Sequence, residues 1–424
     1  MKYAEMNQDE LKAELEKQNA LYAAYKAKNF SYDMTRGKPA ADQLELSMDM
    51  LSEKYIGDGK GENSVDYRNY GIGDGIPEMK RLFAEIFHQT PNKVYITGNS
   101  SLNIMHDILA RFLLFGVNQE TKPWKDQGVL KFICPVPGYD RHFAITELFG
   151  FDMINVPINA DGPDMDMVEA IAAADPSVKG MWAIPKYSNP TGTVYSDKVI
   201  ERMASMKTAA PDFRIMCDDA YTVHFLEDAP ADQLNLISAC EQAGNPDRAI
   251  MFASTSKITF PGAGVSAFAS SVSNIEYLKS LINYQTIGSD KLNQLRHVNF
   301  LKNYDGIITH MKKHAELIRP KFNICLETMA RELGGLEILQ WTKPTGGYFI
   351  SIDTLEGCAS RVCSLAKACG VALTPAGSSY PYKKDPKDTN IRLAPTFPPV
   401  AQLKEAMEVL CVCIKIASLE KLIK

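Results

Sequence analysis

The chain has 424 residues, 45% hydrophobic and 23% charged, with a formal net charge of −5. That length predicts more than one domain around a large core, and the acidic balance excludes both a basic footprint for nucleic acid and a polybasic membrane surface. The cysteines show no C-x-x-C arrangement, and the close pair Cys411 and Cys413 falls in an apolar helical stretch, so reduced, buried thiols are expected rather than a disulfide framework.

The N-terminal stretch "MKYAEMNQDELKAELEKQNALYAAYKAKN" is charged throughout and lacks an apolar signal core. It reads as a polar helix with a weak stripe of Leu11, Leu15 and Leu21. No run approaches the ~18 apolar residues of a membrane span, and a cytoplasmic location is expected. From residue 90 to 275, short apolar strands alternate with amphipathic helices. The strands are "KVYIT" (93–97), "KFICPV" (131–136), "DMINVPI" (152–158), "GMWAIP" (180–185), "FRIMCDD" (213–219), "AIMFAST" (249–255) and "VSAFASS" (265–271). Most are continuously apolar, which predicts a seven-stranded, mostly parallel sheet covered by helices on both faces, an α/β domain over residues 55–300. Beyond residue 275 long helical patterns dominate, with short strands near "GGYFISI" and "NIRLAP" and a last helix near 400–423. Residues 301–424, joined by 1–54, read as a smaller α+β domain.

Ligands of an open parallel sheet bind outside the carboxyl ends of its strands, so the residues just past each strand carry the functional reading. "GNSSLN" (Gly98, Asn99, Ser100, Ser101) runs into a helix, which suits an anion such as phosphate and equally an ordinary serine cap. "PGYDRHF" offers Tyr139 as a flat-ring platform or as simple packing. "KYSNPTG" is turn chemistry whose Asn189 points toward the crevice. "DDAY" ends a buried strand, so Asp218 needs a partner, and a protonated ring nitrogen would serve; Asp219 reads as a solvated cap. "STSK" places Lys257 among hydroxyls at a strand end, where desolvation would turn a cation into a nucleophile, although a surface lysine is the plainer reading. One cofactor uses all of these in this order: pyridoxal 5'-phosphate, PLP.

With "YGIGDGIPEMKRLFA", "PGY", "NPTG", "DDAY", "STSK" and "NIRLAP" in this order, the chain resembles the fold-type I aminotransferases of class I/II over nearly its whole length. "TRGKPAADQLELS" and "FPGAGVSAF" further resemble a divergent bacterial aspartate aminotransferase subgroup. The resemblance implies the PLP-dependent transferase fold and a ping-pong exchange between L-aspartate and 2-oxoglutarate, giving oxaloacetate and L-glutamate. It makes Lys257 the Schiff-base lysine that also carries the substrate Cα proton, and Asp218 the partner of the pyridine nitrogen. Tyr221 and Asn189 become the pair on the ring oxygen, and Tyr139 the stacking aromatic. Asn99, Ser100, Ser101, Ser254 and Ser256 fall where relatives grip phosphate. Arg392 matches the arginine that forks onto the substrate α-carboxylate, Gly37 the glycine beside it, and Tyr70 a tyrosine reaching the neighbouring subunit's phosphate, which implies a homodimer with shared sites.

One departure stands out. Relatives carry a phosphate-neutralising arginine shortly after the lysine, whereas this chain has Gly264 there. For a distal substrate carboxylate the candidates are Arg36, Lys38, Arg141, Lys186 and Arg296. Arg141 is favoured because in an extended segment it would share a face with Tyr139 two residues earlier. An aminotransferase for another amino acid, or a PLP C–S lyase, would use the same residues. A non-enzymatic PLP-binding regulator would call for a DNA-binding module, for which the residues before the large domain show no helix-turn-helix pattern. No metal site is expected.

Overall fold

The computed structural model describes residues 2–423. Thirteen strands among them run in chain order as β1 (Tyr32–Met34), β2 (Val94–Ile96), β3 (Lys131–Val136), β4 (Asp152–Asn159), β5 (Gly162–Pro163), β6 (Val178–Ala183), β7 (Arg214–Asp218), β8 (Ala249–Ser254), β9 (Ser266–Ala269), β10 (Leu339–Trp341), β11 (Ile350–Thr354), β12 (Val371–Leu373) and β13 (Asn390–Leu393). Eight of them form one sheet in the order β2-β9-β8-β7-β6-β3-β4-β5. The run from β8 to β4 is parallel, and β9 is antiparallel to both its neighbours, so β2 points the same way as the parallel set. The seven expected strands are all present. The eighth, β5, is a two-residue antiparallel return on β4, too short to leave a periodic signal.

Alternation along each strand explains why both faces are covered. Phe132, Trp182, Met216, Ile250, Phe252 and Phe268 meet helices 101–115 and 272–282 on one face. Ile133, Met181, Ile215, Cys217 and Met251 belong to the core on the other face, with helices 77–86, 197–205 and 236–242. Each fully buried aromatic or branched side chain contributes about 1.5–3 kcal/mol. The chain leaves β3 for β4 on one side and then places β6 on the other. The crevice between the ends of β3 and β6 is therefore the topological switch point, where an open α/β sheet binds its ligand.

The remaining strands tie the two chain ends together. β1 pairs in parallel with β12, and β11 lies antiparallel between β10 and β13. Helix 8–26 opens on Asn7, whose side chain accepts from the Asp9 and Glu10 amides while the Glu10 carboxylate accepts from the Asn7 amide. Its weak apolar stripe suffices because it packs on helix 400–423, whose inner residues are buried nearly throughout. Helix 304–333, the longest, also lies against that helix. Cys411 and Cys413 are buried in the last helix. Among the described residues no helix is long and apolar enough to cross a membrane.

Candidate active site

β8 is buried up to its last residue and then turns sharply, with the Ile258 and Thr259 amides donating to the Thr255 carbonyl at 2.9 and 2.8 Å. The Thr255 hydroxyl accepts from the Val265 amide at 2.9 Å, closing the loop onto the start of β9. This turn carries Lys257 into the crevice, where its Nζ stands 4.8 Å from the centre of the Tyr221 ring and 5.9 Å from that of Tyr348. Burial draws the Lys257 pKa below the ordinary lysine value, and the negative charge of Asp218 opposes that shift.

Asp218 is the last residue of β7 and is buried. Its Oδ2 lies 2.9 Å from Nε2 of His142, while its Oδ1 is buried without a hydrogen-bond partner. A buried carboxylate oxygen left unpaired costs on the order of 1–3 kcal/mol or more, so this atom is shaped for a donor. The His142 ring is itself held: it stacks on Trp182 with centroids 4.2 Å apart and planes 5° apart. Trp182 Nε1 donates to Thr146 Oγ1 at 2.8 Å, and that hydroxyl donates to the His142 carbonyl at 2.7 Å. Tyr139 caps the start of helix 140–148, three residues before His142, and its ring meets the imidazole edge-on at 5.0 Å.

Tyr221 is buried, and burial holds its phenol well above the ordinary range, so it remains a hydrogen-bond donor. Asn189 is buried past β6 and its Oδ1 accepts from Arg392 Nη1 at 3.4 Å. Arg392, from β13, packs its guanidinium 4.9 Å over the Phe349 ring. Its Nη1 donates to Asp140 Oδ1 at 3.0 Å and its Nη2 to Thr374 Oγ1 at 3.4 Å, while Nε is buried without a partner. Gly37 lies against the same wall: a Cβ there would stand 2.5 Å from Phe349 Cζ and 3.2 Å from Tyr348 Cβ. Only the absence of a side chain lets the N-terminal strip approach.

At the end of β8, the hydroxyls of Ser254 and Ser256 are 3.1 Å apart, and Ser256 donates at 3.2 Å to the carbonyl of Asn99, which follows β2. Ser100 occupies the cap position of helix 101–115 without a side-chain cap bond, and Ser101 begins the helix. Free N–H groups and hydroxyls at one helix start suit an anion. Gly264 has a steric reason: its Cβ would stand 3.2 Å from each of Phe260 O, Ser256 N and Thr255 Oγ1, so the closed loop leaves little room for an arginine. Behind that turn, Asn293 donates to the Ala263 and Gly264 carbonyls at 3.0 Å each, and its Oδ1 accepts from Arg296 Nη2 at 2.6 Å. Arg296 Nε is buried without a partner.

Two expected residues stand apart from this cluster. Tyr70 is 84% exposed and lines a cavity of about 460 Å³ with Gly288 and Ser289. The favoured placement of Arg141 rests on an extended segment, and that is corrected here: residues 140–148 are helical, so Arg141 is exposed and His142 is the residue turned to the site. Of the other cations, Arg36 and Lys38 are exposed, Lys38 pairing with Asp33 at 3.2 Å, and Lys186 is buried beside Asp219 and His88. Asp219 is likewise corrected: it is 5% exposed rather than solvated, because the chain stays buried beyond the end of β7, the Asp219 amide donating to the Phe252 carbonyl of β8 at 2.8 Å. His142, Asp140, Thr374, Phe349 and Tyr348 escaped the sequence reading. For His142 a signal existed, since in a helix it shares a face with Tyr139 three residues before it.

The sheet order, with a lysine, an aspartate and a tyrosine at its carboxyl edge, is that of a fold-type I aminotransferase. The chain belongs to the aspartate amino-transferase family, whose model matches residues 6–424. It is 46% identical over 395 residues to an aspartate aminotransferase of Corynebacterium glutamicum, covering 93% of this chain and 91% of the relative. A crystal structure of an aspartate transaminase from C. glutamicum superposes with a TM-score of 0.97 at 43% identity, covering 100% of this chain and 99% of that one. That agreement bears out the narrower resemblance to a bacterial aspartate aminotransferase subgroup. The fold also matches an α-aminoadipate aminotransferase of Thermus thermophilus complexed with N-(5'-phosphopyridoxyl)-L-leucine. There the TM-score is 0.73 at 21% identity, covering 92% of this chain and 93% of that one.

Proposed function

We propose that this protein is a PLP-dependent aminotransferase that exchanges the amino group between L-aspartate and 2-oxoglutarate, with Lys257 as its Schiff-base lysine. The observation that carries the reading is the unpartnered Oδ1 of buried Asp218, facing the same crevice as Lys257. The residues fit the cofactor. Asp218 would accept from a protonated pyridine nitrogen, and His142 on Oδ2 fixes the orientation of that carboxylate. Tyr139 would cover the ring, Tyr221 and Asn189 would hold its phenolic oxygen, and Asn99, Ser100, Ser101, Ser254 and Ser256 would take the phosphate. Bound there, PLP supplies an electron sink for the carbanion formed at the substrate Cα.

The chain's own part is positioning and proton movement. Lys257, whose pKa burial lowers, would hold the cofactor and move the proton at the substrate Cα. Arg392 orients the α-carboxylate against Asn189 and Phe349, a planar fork that lysine could not copy. For the distal carboxylate, Arg296 is the best supported of the five cations, since it alone among them has a buried, unspent N–H. The exposed Tyr70 accords with a homodimer in which each copy completes the other's phosphate site. Residues 55–300 would form the large unit and 1–54 with 301–424 the small one, a division supported by the β1–β12 pairing and by the packing of the first helix on the last. The buried thiols of Cys134, Cys217, Cys411 and Cys413 accord with a cytoplasmic location.

The activity is checked by proton NMR of purified protein with PLP, L-aspartate and 2-oxoglutarate. Equal formation of L-glutamate and oxaloacetate is expected. Release of ammonia and a 2-oxo acid from a sulfur amino acid, with no amino transfer, would establish the lyase instead.

A further inference from the structure

The peptide just beyond Lys257 is held by groups that none of the roles above employ. The Ile258 carbonyl oxygen lies 2.8 Å from Nε2 of His310 and 3.0 Å from Nε2 of His314. Both histidines come from helix 304–333, one turn apart, and both are buried. Gln43 fixes the tautomer of the second. Its Nε2 is 3.2 Å from His314 Nδ1 and 2.9 Å from Tyr348 Oη, and its Oε1 accepts from the Ala40 amide at 3.1 Å. An amide nitrogen only donates. Nδ1 of His314 therefore accepts, the ring proton sits on Nε2, and Nε2 donates to Ile258. Burial, reinforced by His310, lowers the His314 pKa to about 3, which keeps the ring neutral.

We infer that Gln43 and His314 form a positioning relay that fixes the Ile258–Thr259 peptide, one residue past Lys257, and links it to the substrate-side strip of the chain. Gln43 lies a few residues after Gly37, whose backbone abuts Phe349 and Tyr348. Tyr348, the other acceptor of the Gln43 amide, also faces Lys257. Gln43 thus joins the Tyr348 turn to helix 304–333, whose two histidines hold the carbonyl in the Lys257 loop. The groups facing Lys257 are Asp218, Tyr221, Tyr348 and His224, the last buried against the Lys257 and Tyr221 backbone. Without His314 the Ile258 carbonyl loses a donor in a buried place, and its exposed negative end favours the protonated form of the neighbouring lysine nitrogen.

The inference rests on the PLP reading, and one experiment separates the two. The full chain is prepared free of cofactor as wild type, His314→Leu, His314→Gln and Gln43→Leu. PLP is added, and both the rate at which the visible band of lysine-bound cofactor appears and its pH midpoint are recorded. His314→Leu is expected to raise the midpoint by about half a pH unit or more and to slow band formation roughly tenfold. Gln43→Leu is expected to shift both in the same direction, and it decides the matter if His314→Leu does not fold. His314→Gln keeps one donor and one acceptor and should restore both values to near wild type. A wild-type band with unchanged midpoint and rate in both leucine variants would overturn the relay alone. Absence of a band in the wild type would overturn the PLP reading and the relay with it.

Discussion

Asp218 and Asp219 adjoin in sequence and differ in surroundings, and that difference sets two predictions. Asp218 has His142 on one oxygen and nothing on the other. Asp218→Asn keeps the shape and removes the charge, so kcat should fall about 10²–10³-fold with the fold retained, read by steady-state kinetics beside a melting curve. Asp219 has its pKa raised to about 7, chiefly by burial. A carboxyl raised in the folded state stabilises fully below its unfolded pKa of about 4, and that contribution is lost as pH rises through the folded value. Stability measured by urea unfolding should therefore decline between about pH 4 and 7, by up to roughly 4 kcal/mol relative to Asp219→Asn. A variant with the same slope as wild type would contradict that assignment. At Arg392, lysine in place of the fork should raise KM for the amino acid about 10- to 100-fold while moving kcat less. The residues that follow strand ends (Tyr139, Asn189, Asp218, Tyr221, Lys257) were legible because position along a strand already implies the edge of the sheet. His142, Asp140, Gln43 and His314 were not, since their partners lie 76, 252, 271 and 56 residues away and no local pattern announces them.

Elements set the precision of the site. Strands β6, β7 and β8 are buried along nearly their whole length, so they deliver Asn189, Asp218 and Lys257 from rigid supports. Their apolar runs made them readable. In the segment after β3, "PGYDRHF" begins with turn residues that mask the helix, which starts immediately after Tyr139 and turns Arg141 outward. The N-terminal strip is the least regular element and among the most constrained. Gly37→Ala drives a methyl into Phe349, on whose ring Arg392 rests, at an overpacking cost of about 1–3 kcal/mol. Calorimetry should show the lower melting temperature and kinetics a raised KM. An unaltered KM would detach the strip from the carboxylate site.

On the scale of the molecule, the two chain ends close over one another through helices 8–26 and 400–423, while the edge near Tyr70 stays open. Tyr284 and Ile287, 94% and 63% exposed, stand near that edge, where Gly288 lines the same cavity as Tyr70. A second copy covering this face would bury them and bring its own tyrosine to the phosphate groups. Subunit mixing tests this. Tyr70→Ala and Lys257→Ala dimers, dissociated and reassociated together, should regain about a quarter of wild-type activity, because each mixed dimer holds one intact site. No gain above the parents would place Tyr70 outside the partner's site. The central claim, that Lys257 binds PLP and passes the amino group of aspartate, is tested most directly by the visible spectrum of purified protein with PLP, alongside Lys257→Ala. Wild type should show a band that L-aspartate removes and 2-oxoglutarate restores, and the alanine variant should show only free cofactor. A wild-type spectrum identical to that of Lys257→Ala would contradict the claim.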